Sequence, residues 1–329
     1  MTDAPTISIS QATNEALDEA LAADPNVFLL GEDIADGQGG GVFKTTKGLS
    51  TKYGVERVRA TPITEQAIVG AAVGAAITGM RPVAEIMFMN FLTVCMDQIV
   101  NHAAKLRFMS GGKTSVPLTI RCCTGAGFGF GGQHSDMLEA WFAHVPGMKV
   151  VTASNPADAK GLLLSAIEDD DPTLVIENIA MYGVQGPALA PGTKVPLGKA
   201  SIRRKGADVT VIAYGRALLN VEAVAAALAE EGIDVEVVDL RTIAPFDEET
   251  VLASVAKTNR AVIVHEAVKS FGAGAEISSR IHEELFGQLK RPVQRVGSKY
   301  SPVPFSPPLE QAFLYNQDEI RSAVRAALA

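Results

Sequence analysis

Long charge-free apolar runs are missing from this chain. The best candidate, residues 64–80, is short, rich in glycine and opens with Glu65, whereas a membrane-spanning helix needs about 20 consecutive apolar residues. Basic clusters with interleaved aromatics are missing too. The net charge of −8 argues against nucleic acid and anionic membranes as partners. Cysteine is scarce: Cys95, Cys122 and Cys123 are the complete set. The adjacent pair has no metal-site spacing. The opening MTDAPTISIS has neither a charged n-region nor an apolar h-region. Small buried thiols in a reducing, cytoplasmic setting are the expectation.

Apolar residues, by contrast, are plentiful. They make up 47% of 329 residues, enough for two domains of ordinary size with apolar surface left over for subunit contacts. Along the first half, helix-like and strand-like segments alternate. Helices are expected at 10–23, 65–78 and 91–109, and at 157–167 behind an Asn155-Pro156 cap. Strands are expected at 27–30, 81–86, 116–122, 149–153 and 173–177. Such alternation indicates βαβ units and a parallel sheet covered on both faces. Residues 182–196, rich in Gly, Pro and Ala, read as a linker, and 37–41 as a flexible loop. A second alternation follows. Its strands are at 208–213, 234–238, 261–264 and 292–296, with helical segments between them and a last helix at 318–328.

The most informative segment is Thr61-Pro62-Ile63-Thr64-Glu65, which leads into a helix whose faces are almost all glycine and alanine. Small side chains let another backbone approach closely. A carboxylate at a helix start is stabilised by the helix dipole, and burying it against a tight neighbour needs a dedicated partner. By itself the segment also fits a plain helix with an acid in its first turn.

A second candidate is His134, which follows the glycine-rich run Gly125 to Gln133. Loops of this kind concentrate ligand-facing residues. The same run holds a formal G-x-G-x-x-G at Gly127, Gly129 and Gly132. The acid expected at the end of the next strand is absent, so a nicotinamide site is disfavoured. His134, Ser135 and Asp136 are adjacent in sequence and do not make a hydrolase triad, whose members converge from separate segments.

Taken with Gly31-Glu32-Asp33, Arg81-Pro82-Val83-Ala84-Glu85, Gln133-His134-Ser135, Pro146 to Val151, Asp158 to Leu162, Asp239 to Ile243 and Pro302-Val303-Pro304, the helix-start motif gives the chain a family likeness. It resembles, over nearly its whole length, the beta subunit of the thiamine-diphosphate-dependent decarboxylating component of 2-oxo acid dehydrogenase complexes. That family includes the pyruvate, branched-chain 2-oxo acid and acetoin dehydrogenases. The resemblance implies an α/β fold of two doubly wound domains. These are a transketolase-like pyrimidine-binding domain over 1–182, a linker over 183–200 and a transketolase C-terminal-like domain over 201–329.

For the site, the resemblance implies that Glu65 hydrogen-bonds a ring nitrogen of the cofactor's aminopyrimidine. Phe91, with Phe88 as the alternate, would stack on that ring, and Ile63 would contact it. His134 would face the substrate as general acid or base or position the lipoyl group. Asp136 stands where many relatives carry an amide, which leaves substrate preference open. Glu32 is either a second carboxylate near the cofactor or a salt-bridge partner of another chain. A candidate potassium site is implied at Val116, Leu118, Thr119, Ala166, Asp169 and Asp171; the plain alternative is a solvated acidic turn.

Neither the Gly-Asp-Gly nor the Asn-Asn segment that holds the diphosphate through Mg²⁺ in thiamine enzymes occurs here. The chain is therefore expected to hold only the aminopyrimidine half. An alpha subunit would supply the rest, in an alpha-two beta-two heterotetramer. The implied reaction is cleavage of a 2-oxo acid or acetoin and acyl transfer to lipoamide on an acyltransferase core. The rivals are a transketolase-like carbon-transfer subunit and a non-catalytic or electron-transfer doubly wound subunit.

Overall fold

The computed structural model describes residues 5–329. The backbone gathers into two units. The first comprises residues up to Thr124 together with Trp141–Leu197, and the second Gly125–Ala140 with Gly198–Ala329.

In the first unit six parallel strands lie in the order Lys149–Thr152, Thr173–Asn178, Thr119–Thr124, Arg81–Phe88, Val27–Glu32 and Val58–Thr61. Their near-continuous burial is the mark of a sheet covered on both faces. Helix Ile9–Ala23 starts at Ser8, whose hydroxyl accepts from the Gln11 amide while the Gln11 side chain accepts from the Ser8 amide. Ala12, Ala16 and Ala20 recur every fourth residue on its buried side. The helix packs on Pro156–Glu168, which is capped by Asn155 as its sequence indicates. Leu17, Leu29, Val83, Val151, Leu163 and Val175 belong to the core these elements share.

The second unit has five strands in the order Gln294–Ser298, Ala261–Val268, Val209–Ala213, Val235–Asp239 and Ser201–Arg204. Only the last runs antiparallel to its neighbour. Helix Arg216–Glu230 buries Leu218, Val221, Val224 and Leu228, spaced as one helical face, and the final helix Gln317–Leu328 buries Ile320, Val324 and Ala327. Among the described residues no helix is long and apolar enough to cross a membrane.

Several expectations from sequence change. The long helix expected at 91–109 is three pieces: a 3₁₀ stretch Met89–Cys95, a π turn Gln98–Ala103 and a short helix Leu106–Met109. The aromatic and β-branched residues at 91–94 are poor helix formers. The tight turn followed by the wide one keeps Leu92, Cys95, Ile99 and Ala103 on the buried side.

The stretch expected as a linker is laid onto the first unit. Gln185–Pro187 pairs antiparallel with Thr6–Ser8. The Ser165 hydroxyl donates to Val195 O at 2.6 Å, and a β-carbon on Gly161 would meet the Val195 side chain at 2.5 Å. Residues 125–140, counted in sequence with the first domain, group with the second unit. The 37–41 loop is tied down through Asp36, whose carboxylate accepts from the Gly48 and Thr51 amides and from the Ser50 and Thr51 hydroxyls. The Thr51 hydroxyl foremost, and then the Gly48 amide, hold that carboxyl down at about 2.

Candidate functional site

In the first unit the chain runs from strand Val27–Glu32 to Val58–Thr61 on one side, then returns to Arg81–Phe88 on the other. In doubly wound sheets the crevice beyond the carboxyl ends of the strands at such a reversal is the usual ligand position. Glu32 ends its strand opposite Thr61. Pro62, Ile63 and Thr64 follow, and Glu65 is the first residue of helix Glu65–Ile77. Ile63 is 73% exposed, an apolar side chain at the crevice mouth that a ring could cover. Burial, then Asp33, then Glu65 raise the Glu32 carboxyl. The Cys95 thiol is pushed up to about 12 by burial first and by Glu65 second. Glu32, Glu65 and Cys95 thus share one electrostatic neighbourhood.

An aromatic chain lies in the same unit. Phe91 meets Phe88 edge-on at 5.7 Å, Phe88 meets Phe43 edge-on at 5.7 Å, and Phe43 reaches Tyr182 at 5.3 Å. A carboxylate beside apolar and aromatic faces is a donor set for a flat heterocycle with ring nitrogens. Among the described residues no group of three or more His, Cys, Asp or Glu side chains is arranged to hold a metal ion.

Beneath this crevice runs a buried ion cluster that sequence reading missed. Arg121 stands opposite Glu85 in the register of neighbouring strands. Its guanidinium donates to Glu85 at 2.5 Å, to Glu177 at 2.6 and 2.9 Å and to the Thr45 hydroxyl at 3.1 Å. The Tyr182 hydroxyl donates to Glu177 at 2.7 Å. Burial pushes the Glu85 carboxyl up while Arg121 pulls it back. The signal was present: one charged residue inside each of three apolar strands. The partnership is written only in the register.

At the candidate potassium site the carboxylates of Asp169 and Asp171 are already engaged. Lys149 donates to both Asp169 oxygens at 2.6 and 2.7 Å and lies 3.5 Å from Asp171. Arg107 donates to Asp171 at 2.7 Å. Arg81 donates to the carbonyls of Ile167 and Asp169 and to the Asp170 side chain. The Val116 amide donates to Asp170 O, and Leu118 O accepts from the Thr173 amide. Thr119 and Ala166 are buried.

His134 lies in the second unit, not in the unit that carries Glu65. It is half-buried, and its amide donates to Gly131 O at 3.3 Å. The amides of Gly127 and Gly129 donate to the Glu310 carboxylate at 2.7 and 3.0 Å, so the formal G-x-G-x-x-G is not free to cradle a pyrophosphate. Farther along, the Tyr214 hydroxyl donates to Glu139 at 2.7 Å. Burial lifts the Glu139 carboxyl to about 7, against the Tyr214 bond that lowers it.

The family matches divide the chain along the sequence and keep residues 125–140 within the first of them. Residues 5–184 match the family described as the transketolase pyrimidine binding domain, and residues 198–320 the transketolase C-terminal domain. The chain is 46% identical to the beta subunit of acetoin:2,6-dichlorophenolindophenol oxidoreductase from Cupriavidus necator, over 98% of this chain and 97% of that one. It is 44% identical to the mitochondrial pyruvate dehydrogenase E1 subunit beta-2 of rice, over 98% and 86% of the two chains. Its identity to the human pyruvate dehydrogenase E1 beta subunit is 42%, over 98% and 90%. A solved split-gene transketolase, an inactive beta4 tetramer, shares the fold with a TM-score of 0.77 at 23% identity, each chain covered over 98%.

Proposed function

Because the chain belongs to the beta-subunit family of the thiamine-diphosphate-dependent pyruvate and acetoin dehydrogenases, we propose that it provides the aminopyrimidine half of a cofactor site that an alpha subunit completes. The observation that carries this reading is Glu65, a carboxylate at the head of a helix beside the switch-point crevice, coupled to Glu32 and followed in sequence by the Phe88–Phe91 ring pair. Thiamine diphosphate, when bound, supplies the carbon nucleophile that adds to the substrate carbonyl and the electron sink for the bond cleavage that follows. Glu65 would hold the proton at a ring nitrogen of the aminopyrimidine. Ile63 and Phe91 would cover the ring and exclude water from it. Glu32 would add a second carboxylate whose raised affinity for protons suits proton sharing with Glu65.

His134 would orient the substrate and hold or move a proton on its side of the site. The diphosphate and Mg²⁺ are assigned to the alpha subunit, because this sequence has neither of the segments that bind them. The exposed Gly/Ala face of helix Glu65–Ile77, where a β-carbon on Gly74 would meet nothing within 4 Å, is assigned to close packing against a partner chain in an alpha-two beta-two assembly. The acyl product would pass to the lipoyl group of an acyltransferase core. A potassium ion at the 166–171 turn is a further part of this reading. With Asp169 and Asp171 paired to Lys149 and Arg107, backbone carbonyls would be its ligands, and a melting temperature that rises in KCl over NaCl is the expected sign. The proposed location is the cytoplasm, which cell fractionation checks.

The decisive experiment is to co-purify the chain with its alpha subunit and screen 2-oxo acids and acetoin with an artificial electron acceptor. Turnover that requires both chains and thiamine diphosphate is the expected result. Tight, Mg²⁺-dependent cofactor binding to this chain alone, seen by calorimetry, would overturn the split site.

A further inference from the structure

We propose that Glu310 is a positioning residue: its carboxylate clamps the glycine-rich loop 125–140 and so sets where His134 stands. The inference rests on the reading of His134 given above. Glu310 is 3% exposed, within the short helix Pro307–Phe313. One of its oxygens accepts from the Gly127 amide at 2.7 Å and the other from the Gly129 amide at 3.0 Å. Two amides converge on one carboxylate because the loop has positive φ at every second residue: +116° at Gly127, +69° at Gly129 and +72° at Gly131. Side chains at those positions would be strained, and the resulting concavity of N–H groups is an anion nest. Here the anion is supplied by the protein itself.

Neighbouring contacts hold the loop in the same place. Arg216 donates to Ala126 O at 2.7 Å and lies 3.8 Å from Glu266. Ala126 packs with Val303 and Phe313. A β-carbon on Gly131 would fall 2.3 Å from the Phe305 ring, so the Pro302-Val303-Pro304 stretch picked out in the sequence leads into a wall against which the loop closes. At its far end the loop is fixed by the Tyr214 hydroxyl on Glu139. His134 stands in the middle of the span between the Gly129 and Glu139 anchors. Freeing the first anchor lets the histidine wander.

The test uses the assembled enzyme with its alpha subunit and compares Glu310→Gln, Glu310→Ala and His134→Ala. Glutamine still accepts one amide but turns an N–H toward the other. In Glu310→Ala, hydrogen exchange across residues 125–140 should quicken at least tenfold, with strands Val209–Ala213 and Ala261–Val268 unchanged. Its kcat with an artificial acceptor should fall at least tenfold, while thiamine diphosphate affinity stays within threefold. Glu310→Gln should fall between wild type and alanine in both readouts with the two strands again unchanged, which a general loss of stability would not produce. Unchanged exchange in both variants overturns the clamp. So does quickened exchange with normal kcat when His134→Ala is impaired. If His134→Ala turns over normally, the reading of His134 fails and the clamp is judged by exchange alone. If neither Glu310 variant assembles, Glu310 is a folding residue and the proposal is wrong.

Discussion

In the first unit the crevice beyond strands Val27–Glu32 and Arg81–Phe88 is edged by side chains that the unit does not bury: Ile63 at 73% exposure, Glu65 and Phe91 in part, and a helix face of glycine and alanine. In the second unit the corresponding crevice lies beyond strands Val209–Ala213 and Ala261–Val268, where the strand order also reverses. There the space is filled. Tyr214 stacks on His265 at 6.2 Å, and both are buried. β-Carbons on Gly272, Gly274 and Gly297 would all lie within 3 Å of the His265 ring. Gly125–Ala140 belongs to the same unit, tied to it through Glu310, Arg216 and Tyr214. One doubly wound sheet leaves side chains exposed past its strand ends, and the other buries its own there. The topology alone does not say which will bind a ligand; the size and polarity of the residues just past the strand ends do.

That contrast can be broken first at its buried charges. Arg121→Met would leave Glu85 and Glu177 in the first unit without their cation. Removing one partner of a buried ion cluster costs about 3–5 kcal/mol, so denaturant unfolding should show a loss of that size. Adding Glu177→Gln should recover part of it. A loss below about 1 kcal/mol would mean that water reaches the cluster.

The functional half of the contrast rests on Glu65. Glu65→Gln should leave the proposed assembly with the alpha subunit folded and cut kcat at least 100-fold, about 2.7 kcal/mol of barrier. Activity within a few-fold of wild type would sink the assignment. It would also leave the open crevice without a catalytic role.

Glu139 gives the second unit a pH signature. Its carboxyl is lifted from 4.5 to about 7, so the folded state holds that proton more tightly than the unfolded chain. The stabilisation is complete below pH 4.5 and is lost as pH rises through about 7. His265 acts oppositely. Burial lowers it from 6.5 to about 4, so its contribution is complete above pH 6.5 and is lost as pH falls toward 4. Glu139→Gln keeps an acceptor for Tyr214 and removes the first slope. Relative to wild type, the variant should gain on the order of 2 kcal/mol between pH 5 and pH 8, read as a growing difference in melting temperature. A difference independent of pH would show that Glu139 stays ionised.

Much of this was legible in sequence. The helix-start motif, most of the strand alternation and the Asn155 cap are local signals and lie where the residues indicate, whereas the edge strands Val58–Thr61 and Ser201–Arg204 were not expected. What sequence did not show depends on contacts far apart in the chain. Arg121 with Glu85 and Glu177 needs three strands in register. The Glu310 clamp joins residues some 180 positions apart. Residues 182–196 look like a linker because their order comes from distant partners: Gln185–Pro187 pairs with Thr6–Ser8, Ser165 donates to Val195 O and Lys160 to Leu189 O. The broken helix at 91–109 shows tertiary burial overriding a plain helical pattern.

The smallest expected effects come from two glycines, one in each unit, and they sharpen the comparison most. Gly274→Ala puts a β-carbon 2.8 Å from the His265 ring, an overpacking that costs about 1–3 kcal/mol. Gly74→Ala, in the exposed face of helix Glu65–Ile77, meets nothing within 4 Å. In the isolated chain it should stabilise by about 0.5–1 kcal/mol, the ordinary helix preference of alanine over glycine. If that face receives a partner backbone, the same methyl must weaken assembly with the alpha subunit, by tenfold or more in the association measured by ultracentrifugation. A Gly74→Ala chain that is more stable alone and assembles as well as wild type would show that the small-residue face packs against nothing. The close approach proposed for the open unit would then have to be sought on another surface.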